Sequence, residues 1–279
     1  MMPEITIIIP VGPEHEDLAR RAEISARNQT IPVEIVMVYD RDGLGAGWAR
    51  NRGIDRAATA YILFLDADDL LAPGAAEAML AQAQANPGHY VYTDWLESGQ
   101  HKKAADCCWC RERSRAHLIT ALLPTAWGRE VRFDESLPAL EDRDFWLKLR
   151  YEYGREGVRL PLPLLIYSPD GYRSRSVIDG VRNGYASMTP AGQKLRAMIN
   201  ARYGGMPEMG CCVGKSKAAT PAQNVMQPGD VQAVAQWIGV KKVQGQVSGR
   251  IYRGGNRRKL WVDPRDVALS PRLFKAVKS

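Results

Sequence analysis

The sequence predicts an α/β protein with a mostly parallel central sheet, followed by a small β-rich module at the C-terminal end. Three observations carry that prediction. Strand and helix signals alternate over the first ninety residues. An acidic run, Asp66-Ala67-Asp68-Asp69, closes an apolar strand, the place where open α/β sheets hold ligands. A second acidic segment, Glu141-Asp142-Arg143-Asp144, opens an amphipathic helix.

Residues 5–9 are a β-branched run that stops at Pro10, and Leu18, Ala22 and Ala26 then recur at helical spacing. A second strand is read at 34–39. The Asp- and Gly-rich stretch 40–47 reads as a loop, 48–58 as a helix and 61–65 as a third strand. After Pro73 and Gly74 an alanine-rich helix runs to about Ala85, and a short strand follows at 90–92. Residues 98–115 are charged and aperiodic, a loop. A helix is expected at 142–153, where Phe145, Leu149 and Tyr153 are spaced by four, and an apolar strand at 158–167, interrupted by Pro161 and Pro163. Residues 204–229 turn to Gly, Pro, Ser, Ala and Gln and read as a linker. Beyond them a short helix at 231–237 and strand-like runs at 247–252 and 259–262, joined by Gly254-Gly255-Asn256, suffice for a small module. The expected domains are therefore 1–203, a linker at 204–229, and 230–279.

The chain of 279 residues carries a net charge of +7, unevenly placed. Residues 213–279 hold thirteen Lys or Arg against three acids, a net +10, which leaves −3 for the rest. Such a tail suits phosphate, nucleic acid or another acidic surface, with a solvated charged face the commoner explanation. Five cysteines, Cys107, Cys108, Cys110, Cys211 and Cys212, form an odd count in two tight clusters, so free thiols are expected rather than disulfides. No apolar stretch is long enough to span a bilayer and no secretory leader is visible, so a cytoplasmic protein is expected.

Three carboxylates within residues 66–69 repel one another unless a cation intervenes, and a hard divalent ion with oxygen ligands would relieve that repulsion. Taken alone, such acids also suit a helix cap or a solvated loop. The acids at 141–144 suit the positive end of a helix dipole.

The order of these features (a strand ending at Pro10, Gln29-Thr30, a strand ending at Asp40, Ala49-Arg50-Asn51-Arg52-Gly53, residues 61–69, then 133–149) resembles family 2 glycosyltransferases of the GT-A fold, which is Rossmann-like. The resemblance spans roughly residues 4–176. It implies a nucleoside-diphosphate sugar as donor, Mn²⁺ or Mg²⁺ as cofactor and transfer with inversion. Asp66-Ala67-Asp68 would be the DxD motif, with Asp68 the direct metal ligand and Asp66 facing the ribose or the metal shell. Asp40 would bond the nucleotide base, although Tyr39 stands where the family often has a first acid. Pro10, Val11 and Glu14 would line the base pocket, with Gly12-Pro13 departing from the family's usual residues. Asp142, in the Glu141-Asp142 pair, would be the general base. Asp170 stands near the place of a metal-binding histidine and would ligate metal or form a surface turn. Asp94 would contact sugar or acceptor. Trp95 and Trp127 offer stacking faces, with burial in the core the favoured reading of both.

The tail, with Ser248-Gly249-Arg250-Ile251-Tyr252 and Trp261-Val262-Asp263, resembles short β-modules on bacteriophage proteins. That implies a phage-borne gene acting in host cytoplasm on a virion protein, a host glycan or modified DNA. Two alternatives stay open: a virion-associated or scaffolding protein using the fold for binding alone, and a glycosyltransferase acting on modified DNA bases.

Overall fold

The computed structural model describes residues 2–105, 117–168, 182–183 and 187–204. All lie in the first of the two units into which the chain divides, Met1–Val225 and Met226–Ser279. The five cysteines, Asp170 and residues 205–279, which include nearly all of the expected linker and the whole tail module, lie outside the described residues.

In chain order the elements are β1 (Ile5–Val11), α1 (Glu16–Arg27), β2 (Glu34–Tyr39), α2 (Ala46–Arg56), β3 (Tyr61–Phe64), β4 (Leu70–Leu71), α3 (Ala75–Ala85), β5 (His89–Glu97) and β6 (Gln100–Lys102). Then come β7 (Ala121–Pro124), α4 (Thr125–Val131), α5 (Glu141–Tyr151), β8 (Glu156–Tyr167), β9 (Arg182–Asn183), β10 (Ser187–Met188) and α6 (Pro190–Arg202). The sheet order is β2-β1-β3-β7-β5-β8-β4, with β6 paired to β5. β1 is parallel to β2 and β3, and β5 to β8. Because β7 is antiparallel to both β3 and β5, the strands β1, β2, β3, β5 and β8 all point the same way. Their carboxyl ends share one edge, and there stand Val11, Asp40, Asp66 and Ser168.

β1 is the centre of the core, with Ile5, Ile7, Ile8 and Ile9 fully buried. A strand covered on both faces needs such a continuous apolar run. α2 lies against it at Gly53, where an added Cβ would overlap the Ile8 side chain. Gly53→Ala is therefore expected to cost about 1–3 kcal/mol of stability, read as a lower denaturant midpoint at unchanged slope.

An aromatic chain fixes α5. Phe133 stacks on Phe145 at 4.2 Å, Phe64 meets Phe133 edge-on at 5.3 Å, and Trp146 stacks on Tyr90 at 4.8 Å. Each such pair adds about 0.5–1.5 kcal/mol beyond the area it buries. From the far side Arg202, at the end of α6, reaches Asp134 at 2.8 Å and Asp144 at 2.9 Å, and Arg143 binds Asn200. α6 is itself started by Thr189, whose hydroxyl accepts the Gly192 N–H, with Pro190 in the first turn.

Three departures from the sequence reading have physical causes. β5 runs nine residues rather than three, because Asp94, a residue type that strands disfavour, is neutralised within the sheet. β8 is continuous through Pro161 and Pro163, since its register against β5 shifts at Thr93/Asp94/Trp95 and a bulge absorbs residues with no N–H to donate. Residues 100–102, inside the expected loop, form β6, and β7, α4 and α6 were not foreseen. Trp95 and Trp127 are buried, as favoured. No helix among the described residues is long and apolar enough to cross a membrane.

Candidate active site

The site grows from the ends of β2 and β3 and the start of α5. At the end of β2, Asp40 is buried and accepts the Leu44 N–H at 2.8 Å on one oxygen and the Gly45 N–H at 2.7 Å on the other. It thereby shapes the loop that leads into α2, and each oxygen keeps a further lone pair. An open cleft of about 240 Å³ lies beside it, lined by Val11, Gly12, Pro13, Glu14, Tyr39, Asp40 and Arg41 among others. Glu14 is held at φ 62°, a left-handed conformation costly to a residue with a Cβ. Of the proposed base-pocket residues, Val11, Glu14 and Asp40 thus meet in one cleft, and Pro10 precedes Val11 in β1.

At the end of β3, one carboxylate oxygen from each of Asp66, Asp68 and Asp69 lies within 4.8 Å of the others. Ala67, between them, is buried. Asp69 is anchored by the Ser168 N–H at 2.9 Å, so the end of β8 holds it. Burial, then the charge of Asp66, pushes the Asp68 carboxyl up to about 7. Burial, then Asp68 and Asp66, raises Asp69 well above the carboxylate range. Buried Asp69 and half-buried Asp68, with Asp66 beside them, form an all-oxygen donor set, and such a set fits a hard divalent cation.

At the start of α5, Leu140 is held at φ 62° and no side chain caps the helix. Glu141 and Asp142 occupy its first turn, where the helix dipole favours carboxylates. Asp142 accepts its neighbour Arg143's N–H at 2.7 Å. Burial raises Glu141, with Asp142 adding to the rise and Arg50 opposing it.

Arg50, on α2, joins the two acid groups. One guanidinium nitrogen donates to Asp66 at 2.7 Å and another to Glu141 at 2.8 Å, with the Arg50 side chain only 4% exposed. Its guanidinium sits 5.3 Å from the Phe133 ring centre. Burial alone would lower its pKa, but Asp66 and Glu141 outweigh burial and raise it. Asn51, the next residue, donates to the Phe133 carbonyl at 3.0 Å and to Glu135 at 2.7 Å, and accepts the Phe133 N–H at 2.9 Å. The Ala49-Arg50-Asn51-Arg52-Gly53 segment thus packs on β1 through Gly53 and sets the chain before α5 through Asn51. Sequence reading assigned neither Arg50 nor Asn51 a role. Their signal was two adjacent polar residues flanked by Ala49 and Gly53 on a helix that must bury that face.

Asp94 is fully buried in β5. It accepts from Arg159 at 2.8 Å, from the Ala104 N–H at 2.9 Å and pairs with His101 at 2.7 Å. Burial works against its charge, and these partners outweigh burial and hold its pKa below the usual value. Asp94→Ala strips Arg159 and His101 of the carboxylate they share. The expected cost is about 3 kcal/mol, measured by thermal or denaturant unfolding.

Comparison with known proteins bears on the fold and on part of the site. Residues 23–106 match the family model of glycosyl transferase family 2. The match takes in Asp40, Arg50, the acid cluster and Asp94, and stops short of Glu141. No curated protein matches the chain. Among solved structures, S. aureus TarS superposes with a TM-score of 0.50 at 18% identity, covering 72% of this chain and 43% of TarS. TarS 1-349 in complex with UDP-GlcNAc gives 0.49 at 17% identity, covering 72% and 71%, and its complex with UDP gives 0.47 at 18%, covering 72% and 70%. The fold is GT-A, a mixed α/β architecture on a mostly parallel sheet.

Proposed function

We propose that this chain is an inverting, metal-dependent glycosyltransferase that moves a sugar from a nucleoside-diphosphate sugar to an acceptor hydroxyl. The observation that supports it most is Arg50, a buried residue that brings a strand-end acid cluster and the Glu141-Asp142 pair to one place. The family match over residues 23–106 points the same way.

In this reading the cleft beside Asp40 takes the nucleotide base, with Val11 and Glu14 as its wall and Pro10 just before them in β1. Asp68 and Asp69, near Asp66, would hold Mn²⁺ or Mg²⁺, which supplies positive charge to the departing diphosphate. Asp142 takes the acceptor hydroxyl's proton as that oxygen bonds the anomeric carbon. The bond from that carbon to the diphosphate oxygen breaks, and the nucleoside diphosphate leaves with the electron pair. One attack on the face opposite the leaving group inverts the anomeric centre. Glu141, tied to Arg50, holds the first turn of α5 in place for Asp142. Asp170 completes the proposed set as a further metal ligand, whereas Asp94, fully buried and engaged by Arg159, His101 and the Ala104 N–H, holds the sheet rather than a sugar or acceptor.

The acceptor is a glycan, a protein or modified DNA. The +10 charge of residues 213–279 favours an acceptor carried on a polyanion, and retention on DNA that falls steeply with salt would single out the last of these. A panel of UDP, GDP, CDP, ADP and dTDP sugars, screened for Mn²⁺-dependent hydrolysis and thermal stabilisation, tests the activity. Neither hydrolysis nor stabilisation by any of them would leave the fold as a binding scaffold.

A further inference from the structure

We infer that Arg50 is a positioning residue: a fixed internal cation that ties Asp66 to Glu141 and so leaves Asp68 and Asp69 as the carboxylates open to a metal. The inference deepens the proposed activity and rests on that reading for its catalytic part alone.

The geometry carries it. Arg50 divides its fork, one nitrogen to Asp66 after β3 and another to Glu141 on α5. A guanidinium can do this because its donors diverge in one rigid plane, whereas a lysine ammonium is a point charge on a flexible stem. The Arg50 Nε is buried with no hydrogen-bond partner among the described residues, so the side chain is placed by its two acids and by the Phe133 face. One Asp66 oxygen is committed at 2.7 Å, whereas no cation pairs with Asp68 or Asp69 among the described residues. A positive charge beside the cluster also repels an incoming metal ion, so the bare protein is tuned to hold metal weakly. A donor diphosphate would then add the negative charge that completes the site.

Mn²⁺ alone, titrated by calorimetry into the full chain and its variants, tests this without any donor. Asp66→Asn is expected to weaken Mn²⁺ affinity by about tenfold, the loss of one neighbouring negative charge, and Asp68→Asn to abolish binding. Arg50→Met is expected to tighten Mn²⁺ by about tenfold, because it removes a neighbouring positive charge and frees Asp66. If that variant does not fold, Arg50→Met with Glu141→Gln removes the charge without stranding Glu141. Equal losses in Asp66→Asn and Asp68→Asn, weaker binding in the Arg50 variants, or no Mn²⁺ binding in any of these proteins would overturn the inference. On the catalytic side, Arg50→Lys should lower kcat for donor hydrolysis by about ten- to a hundredfold with KM nearly unchanged. A loss of stability with kcat per folded molecule intact would make Arg50 merely structural. Should no nucleotide sugar be turned over by the parent, the proposed activity fails alone, and the Mn²⁺ series still decides the role of Arg50.

Discussion

Asp68→Ala is expected to abolish the Mn²⁺- or Mg²⁺-dependent part of nucleoside-diphosphate binding, a loss of a hundredfold or more, while the protein stays folded. Both halves follow from the same local imbalance. Asp68 is held with its carboxyl pushed up to about 7 by burial and by Asp66, so its charged form is costly to the apo fold. A divalent cation would turn that cost into binding energy. Removing the carboxylate therefore takes away a ligand and also a repulsion. The variant should melt at or above the parent's temperature without metal, and should lose the parent's stabilisation by Mn²⁺ with a nucleoside diphosphate. Calorimetry with and without Mn²⁺ reads the binding half. Unchanged metal-dependent affinity would move the site away from Asp68.

How much of this was legible in the sequence depended on how far apart the determining residues lie. β1, β2 and β3 are continuous β-branched or apolar runs with a Pro or Asp at their ends, and the sequence placed their bounds within two residues. The cluster at 66–69 was legible because its repulsion is among near neighbours in the chain. Arg50 was not, because what gives a buried cation its meaning is its partners, 16 residues on at Asp66 and 91 on at Glu141. Asp94 shows the converse. Strand-end position suggested a substrate contact, yet the sheet surrounds it with Arg159, His101 and the Ala104 N–H, partners no local pattern predicts. β7 is a four-residue apolar run ending at Pro124, too short to show a period, and its place between β3 and β5 is set by pairing alone.

Asp142→Asn is expected to slow sugar transfer by about a hundred- to ten-thousandfold while donor affinity hardly changes, the range typical of losing a general base. Asparagine keeps the shape of the residue and can still accept the Arg143 N–H through its amide oxygen, so the first turn of α5 is preserved. What it lacks is a basic oxygen to take the acceptor's proton. The donor is held elsewhere in the proposed site, by the cleft at Asp40 and the cluster at Asp68, which belong to the ends of β2 and β3 rather than to α5. Glu141 separates the two functions physically. It is Glu141, not Asp142, that Arg50 ties to Asp66, so a change at Asp142 leaves the link between α5 and the acid cluster intact. Transfer rate and donor affinity are therefore to be measured on the same preparation once an acceptor is in hand. Turnover near the parent's would remove Asp142 as the base. A parallel fall in donor affinity would instead place Asp142 within the metal and diphosphate cluster, and the proton would then need another acceptor.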